Sequence, residues 1–86
     1  MVIINISEEI NQSLELNSAA SDLFSKINQA DGNEFIIDFK GVHFISRTFA
    51  QAYYASKNRS SKKITEINLS DDVKPMMEMV EKQLRD

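Results

Sequence analysis

The feature that most constrains this chain is the run Glu34-Phe35-Ile36-Ile37-Asp38-Phe39, the strongest β signal in its 86 residues. Its near-continuous apolar character suits a strand covered on both faces, as in a parallel sheet flanked by helices. Around it the pattern alternates. Val2-Ile3-Ile4-Asn5-Ile6 is short and β-branched and reads as a strand closed by Ser7-Glu8-Glu9. The weakly alternating stretch Ser13–Leu16 is expected to extend or pair with it. Asn17-Ser18 offers an N-cap to a helix whose Ala20, Leu23, Phe24 and Ile27 recur at helical steps, and Asp31-Gly32 marks the turn that follows. After the central strand, Gly41 supplies a turn. Ser46 or Thr48 can cap a second helix carrying Phe49, Ala52 and Tyr53 on one side, with one of Tyr53 and Tyr54 buried and the other exposed. Lys63–Leu69 reads as a third strand. Ser70-Asp71-Asp72 opens a last helix with Pro75 in its first turn and Val73, Met76, Met77, Val80 and Leu84 as its buried stripe.

Strand and helix therefore alternate three times, which predicts an α/β fold: one layer of mostly parallel sheet flanked by helices, with residues 1–86 forming a single domain. Phe24, Ile36, Phe39, Phe49 and Val80 are the expected core. With Gly 2, Pro 1 and Cys 0, collagen, disulfide miniproteins and cysteine-ligated zinc modules are excluded. One histidine argues against an imidazole zinc site, so no metal ligands are expected. No apolar run approaches the roughly 20 residues of a membrane span. The opening Met1-Val2-Ile3-Ile4-Asn5 lacks the basic and long apolar regions of a signal peptide, so the expected location is cytoplasmic.

The net charge of −3 is unevenly spread. Residues 1–35 carry six acids and one base, residues 36–63 one acid and six bases, and residues 64–86 six acids and three bases. A basic block this short organises a local surface; a nucleic-acid partner would need a more basic domain and is not expected. Lys57, Arg59, Lys62 and Lys63 read as a solvated loop near a helix end. No P-loop, GxGxxG, GxSxG or HExxH pattern is present, and no cofactor is implied. His43 beside a glycine turn has no visible triad partners, and Asp38 reads as a carboxylate that accepts hydrogen bonds from nearby turn amides. No catalytic residue is assigned.

The most informative segment is Gly41–Ala50, where a loop leaves a buried strand and enters a helix. Phe35-Ile36-Ile37-Asp38-Phe39-Lys40-Gly41-Val42-His43-Phe44-Ile45-Ser46 resembles the strand and loop of STAS domains, the domains of sulfate transporters and anti-sigma factor antagonists. The continuation Ile45-Ser46-Arg47-Thr48-Phe49-Ala50-Gln51-Ala52 is closer to a divergent STAS-like family of unknown function, as is Ile67-Asn68-Leu69-Ser70-Asp71-Asp72-Val73-Lys74. The resemblance spans most of residues 34–84. It implies a non-enzymatic protein-interaction module of bacterial or archaeal signalling or regulation, with a histidine-kinase-type ATPase or another signalling protein as partner. By position, Ser46 stands for the antagonists' loop aspartate, Arg47 for their phospho-acceptor serine, Thr48 for the next Ser/Thr and Phe49 for a glycine. Arg47 cannot be phosphorylated as a serine is, and its charge is opposite to phosphoserine. Ser46 and Thr48 are the loop's candidate phospho-acceptors. The partner-binding residues expected on this basis are Val42, His43, Ser46, Arg47, Thr48 and Gln51. The alternative reading is a nucleotide or other anion held at the helix start near Ser46 by backbone amides and Arg47. A homodimer through an apolar face is compatible with either.

Overall fold

The structure, a computed structural model, describes residues 2–85. Five strands and four helices follow one another as β1 (Val2–Asn5), α1 (Ile6–Glu9), β2 (Ser13–Leu14), α2 (Asn17–Gln29), β3 (Glu34–Asp38), β4 (Phe44–Ile45), α3 (Arg47–Arg59), β5 (Lys63–Ile67) and α4 (Lys74–Arg85). The main sheet has the order β1-β3-β5 and is parallel throughout, with Ile3 in register with Ile36 and Ile36 with Thr65. The fold class is therefore the expected α/β layer, with β3 as its interior strand.

Each crossover steps in the same direction across the sheet. Right-handed crossovers that all step one way lay their helices on one face, and α2, α3 and α4 pack side by side in that order. The burial of β3 records this. Phe35, Ile37 and Phe39 face the helices and are buried, each removing apolar surface worth about 2–3 kcal/mol from water. Ile36, on the opposite row, is half-buried, contrary to the expectation of a fully covered strand. Its neighbours on that row, Ile3 and Thr65, are exposed, Ile3 by 63%. Apolar character on both faces of a strand does not require two helical layers.

Several local expectations need correction. The first strand ends at Asn5, whose side chain accepts from the Glu8 N–H and caps the short helix α1, so Ile6 enters the core from a helix. β2 pairs in parallel with β4, not with β1; each crossover contributes one strandlet to this small second sheet. α2 begins at Asn17 after Leu16, with no side-chain cap bond. α4 begins at Lys74, four residues beyond Ser70. The Ser70 carbonyl accepts from Val73 and Lys74 in the turn that leads into it. Leu84 is 40% exposed and Met76 half-buried, so the buried stripe of α4 narrows to Met77 and Val80, with Val73 buried in the turn just before it.

Tyr53 and Tyr54 are both buried, because α3 is wedged between α2 and α4 and its apolar surface spans both contacts. Tyr53 stands at the centre, its ring edge-on to Phe24 (5.1 Å), Phe39 (6.0 Å) and Tyr54 (5.2 Å) and stacked on Phe49. Its hydroxyl donates to Glu66 Oε2 at 2.7 Å, and Lys57 Nζ reaches both oxygens of the same carboxylate at 2.9 and 3.0 Å. Lys57 is thus half-buried in an ion pair and not part of a solvated loop. Lys62 likewise donates to the Ala30 and Gly32 carbonyls and lies over the Phe35 ring.

Burial pushes the Tyr53 phenol well above its usual 10.0, and the adjoining Glu66 carboxylate adds to the shift. The neutral phenol is thereby favoured in the fold. Its contribution is complete below pH 10 and declines above it, where the unfolded chain ionises first. Tyr53→Phe is expected to lower stability by about 1.5–3 kcal/mol, the range for a hydrogen bond to a charged group, and to flatten the alkaline decline. Urea titrations of both proteins between neutral pH and about pH 11 measure both effects.

Candidate functional site

The segment 41–51 is built on β3. Asp38, its last residue, accepts from the Lys40 backbone N–H and from the Asn68 side-chain amide, both at 2.9 Å. Asp38 therefore serves one turn amide, as expected of it, and also ties the end of β3 to the end of β5. Asn68 takes a left-handed φ of 58°, which asparagine tolerates better than most residues. Gly41 turns the chain at φ 91°, and a β-carbon there would stand 3.1 Å from the Ser7 hydroxyl. The left-handed φ favours glycine, and a β-carbon would also push the Ser7 hydroxyl aside by a few tenths of an ångström.

From Val42 onward the loop is pinned to the segment before α2. His43 N–H donates to the Gln12 carbonyl at 2.9 Å and Ser46 N–H to the Leu14 carbonyl at 2.8 Å. Between them lies the β2–β4 pairing, Ser13 with Phe44 and Leu14 with Ile45. Ser46 resolves the choice of cap. Its hydroxyl accepts from the Phe49 N–H at 3.0 Å and donates to the Glu15 carbonyl at 2.9 Å. Phe49, buried directly beneath, anchors the first turn of α3 in the aromatic cluster.

The sequence-predicted residues divide by exposure. Arg47, Thr48 and Gln51 are exposed on the first turns of α3, and His43 is exposed in the loop before them. Ser46 is half-buried with its hydroxyl engaged on both sides. Val42 is 2% exposed, so it supports the loop from below and presents no surface to a partner. Arg47 Nη2 donates to Gln83 Oε1 of α4 at 3.3 Å. Sequence reasoning missed Gln83, whose position 36 residues away carries no local signal. It also missed Phe44, 49% exposed at the edge of the same loop. Alternation of buried Ile45 with outward Phe44 was the available clue.

The anion-binding alternative rests on the backbone amides at the start of α3 and on Arg47. The hydroxyl of Ser46 already occupies the Phe49 amide, and the same-direction strand order has no reversal at which an α/β sheet opens a crevice. Depressions of about 300 and 270 Å³ lie elsewhere, the first lined by Glu9, Ile10, Ala19, Asp22, Leu23 and Lys26 and the second by Ile10, Asn11, Ser13, Glu15, Leu16 and Ala19. Among the described residues no helix is long and apolar enough to cross a membrane, and no group of three or more potential metal ligands gathers.

Compared with known proteins, the chain matches no family model, no curated protein and no solved structure.

Two substitutions test how the site is held. Ser46→Ala removes a cap and is expected to cost about 1 kcal/mol in a urea titration. The Asn68 amide, then the Lys40 N–H, hold the Asp38 carboxyl below its usual 3.8. A depressed carboxylate contributes stability that is present above that usual value and is lost as pH falls through the lower folded value. Asp38→Asn should therefore show a weaker acid dependence than the parent between about pH 5 and about pH 2, followed by circular dichroism.

Proposed function

We propose that this chain is a non-enzymatic STAS-like interaction module of bacterial or archaeal signalling or regulation, which binds a protein partner through the 41–50 loop and the start of α3. The observation that carries the reading is the rigid presentation of exposed Arg47. The residue before it is held by four hydrogen bonds, two of them to the Leu14 and Glu15 carbonyls, and the residue two after it is locked in the core. A pre-ordered loop loses little conformational entropy on binding, and Arg47 offers a permanently charged fork to a partner carboxylate or phosphate. Thr48 and Gln51 flank it on the same exposed helical turn, and His43 and Phe44 extend the surface into the loop.

The resemblance to STAS-like proteins supplies the partner class, a histidine-kinase-type ATPase or another signalling protein in the cytoplasm. Arg47 at the antagonists' acceptor position makes this a constitutive surface, not a phospho-switch. A phosphate on Ser46 would have to break the bonds of its hydroxyl to Phe49 and Glu15. Thr48 is sterically open, so it is the sharper test.

Arg47→Glu should weaken capture of the partner from host extract while changing stability by no more than about 0.5 kcal/mol, because an exposed charge contributes little to folding. Asp22→Lys, on the outer face of α2, should leave capture intact. Undiminished capture by Arg47→Glu removes that residue from the interface. Mass spectrometry of protein recovered from its host should show Ser46 and Thr48 unmodified, and a dominant phospho-Thr48 species would restore the switch.

A further inference from the structure

The second surface that stands out is the outer edge of β1. As the first strand in the order β1-β3-β5, β1 has a strand on one side only, and no backbone group of the described residues pairs with its other side. Free edges invite another strand and are normally blunted by charge, proline or a bulge. The opposite edge, β5, carries Lys63 and Glu66 and ends at the left-handed Asn68. β1 reads Val-Ile-Ile-Asn and carries no charge, proline or bulge, so only its shortness blunts it. Val2 and Ile3 are 40% and 63% exposed on it.

We infer that β1 pairs antiparallel with β1 of a second copy of this chain, about a two-fold axis perpendicular to the sheet with Ile3 on the axis. The register follows from parity. Residues directly opposite in an antiparallel pair point to the same face, and a perpendicular axis keeps the helix layers of both copies on the same side. Among the described residues of β1, Ile3, on the open face, then stands opposite Ile3 or Asn5 of the other copy. The second choice sets Val2 against Ile6, which lies in α1 and is fully buried. The first sets Ile3 against Ile3 and Val2 against Ile4, so each of these pairs is apolar and no like charges meet. Glu8 and Glu9 lie beyond the paired segment, in α1.

The result is one six-stranded sheet. Ile3 and Ile36, adjacent in register on the open face, continue into their counterparts as an unbroken apolar row. This self-matching register is what favours a second copy over a foreign strand. A four-residue strand offers less than the roughly 1,000 Å² of a permanent interface, so the pairing is weak and concentration-dependent.

Sedimentation equilibrium of the full chain tests it. The apparent mass should rise from 9.8 kDa toward twice that value as concentration increases from about 10 μM to about 1 mM, the range of small transient interfaces. Ile3→Lys should stay monomeric throughout with an unchanged circular dichroism spectrum, and Thr65→Lys on the opposite edge should dimerise as the parent does. In the parent, hydrogen exchange at the β1 amides should slow as concentration rises. A parent that remains monomeric over the range, β1 amides whose exchange ignores concentration, or a dimer that Ile3→Lys leaves equally tight would each overturn the inference.

Discussion

The direction of the two crossovers is the constraint on which the rest of the structure depends. Both step the same way across the sheet, and right-handed connections then place α2 and α3 on one side, where α4 packs against α3. One consequence is a core between a single helical layer and a single sheet face, with Phe35, Ile37 and Phe39 as its floor. Another is that the sheet lacks the reversal in strand order at which open α/β proteins form their ligand crevice. What a layer of this kind offers instead is surface: loops at the carboxyl ends of its strands, its uncovered face and its edges.

A two-layer domain of 86 residues has little apolar area to spare, and α3 shows how this one concentrates it. Tyr53 joins α2, β3 and α3 through its ring contacts and reaches β5 through its hydroxyl. Glu66, brought to the helix side of the sheet, would be a costly half-buried charge without the Tyr53 hydroxyl and the Lys57 ammonium. The same helix carries Arg47 at its start. The exposed turn of the candidate site is therefore the outer end of a helix embedded between two others, and its position is set by Phe49 and Ser46 more than by its own exposed side chains.

Much of this was legible in the sequence because the signals were local. The periodicity of Ala20, Leu23, Phe24 and Ile27 marks α2, the run 34–39 marks β3, and a serine before Arg47-Thr48-Phe49 marks a cap. Gly41 announces a turn whose left-handed φ favours a residue without a side chain. Boundaries were less legible. Asn5 and Ser70 each lie where a strand or turn competes with a helix start, and the winner depends on neighbours several residues away.

What the sequence by itself determined is the order of elements, the α/β class and the identity of the loop that carries Arg47, since each rests on side-chain spacing along one segment. What only the tertiary structure decided is everything set by contact between distant segments. Strand order made Ile36 half-buried where its hydrophobicity suggests burial. The squeeze of α3 between two helices buried both tyrosines. The β2–β4 pairing turned a weakly alternating stretch into the support of the loop, and the packing of α4 brought Gln83 to Arg47. Spacing along the chain carries no information about such meetings, because burial and partnership belong to pairs of segments that the chain brings together only once it has folded.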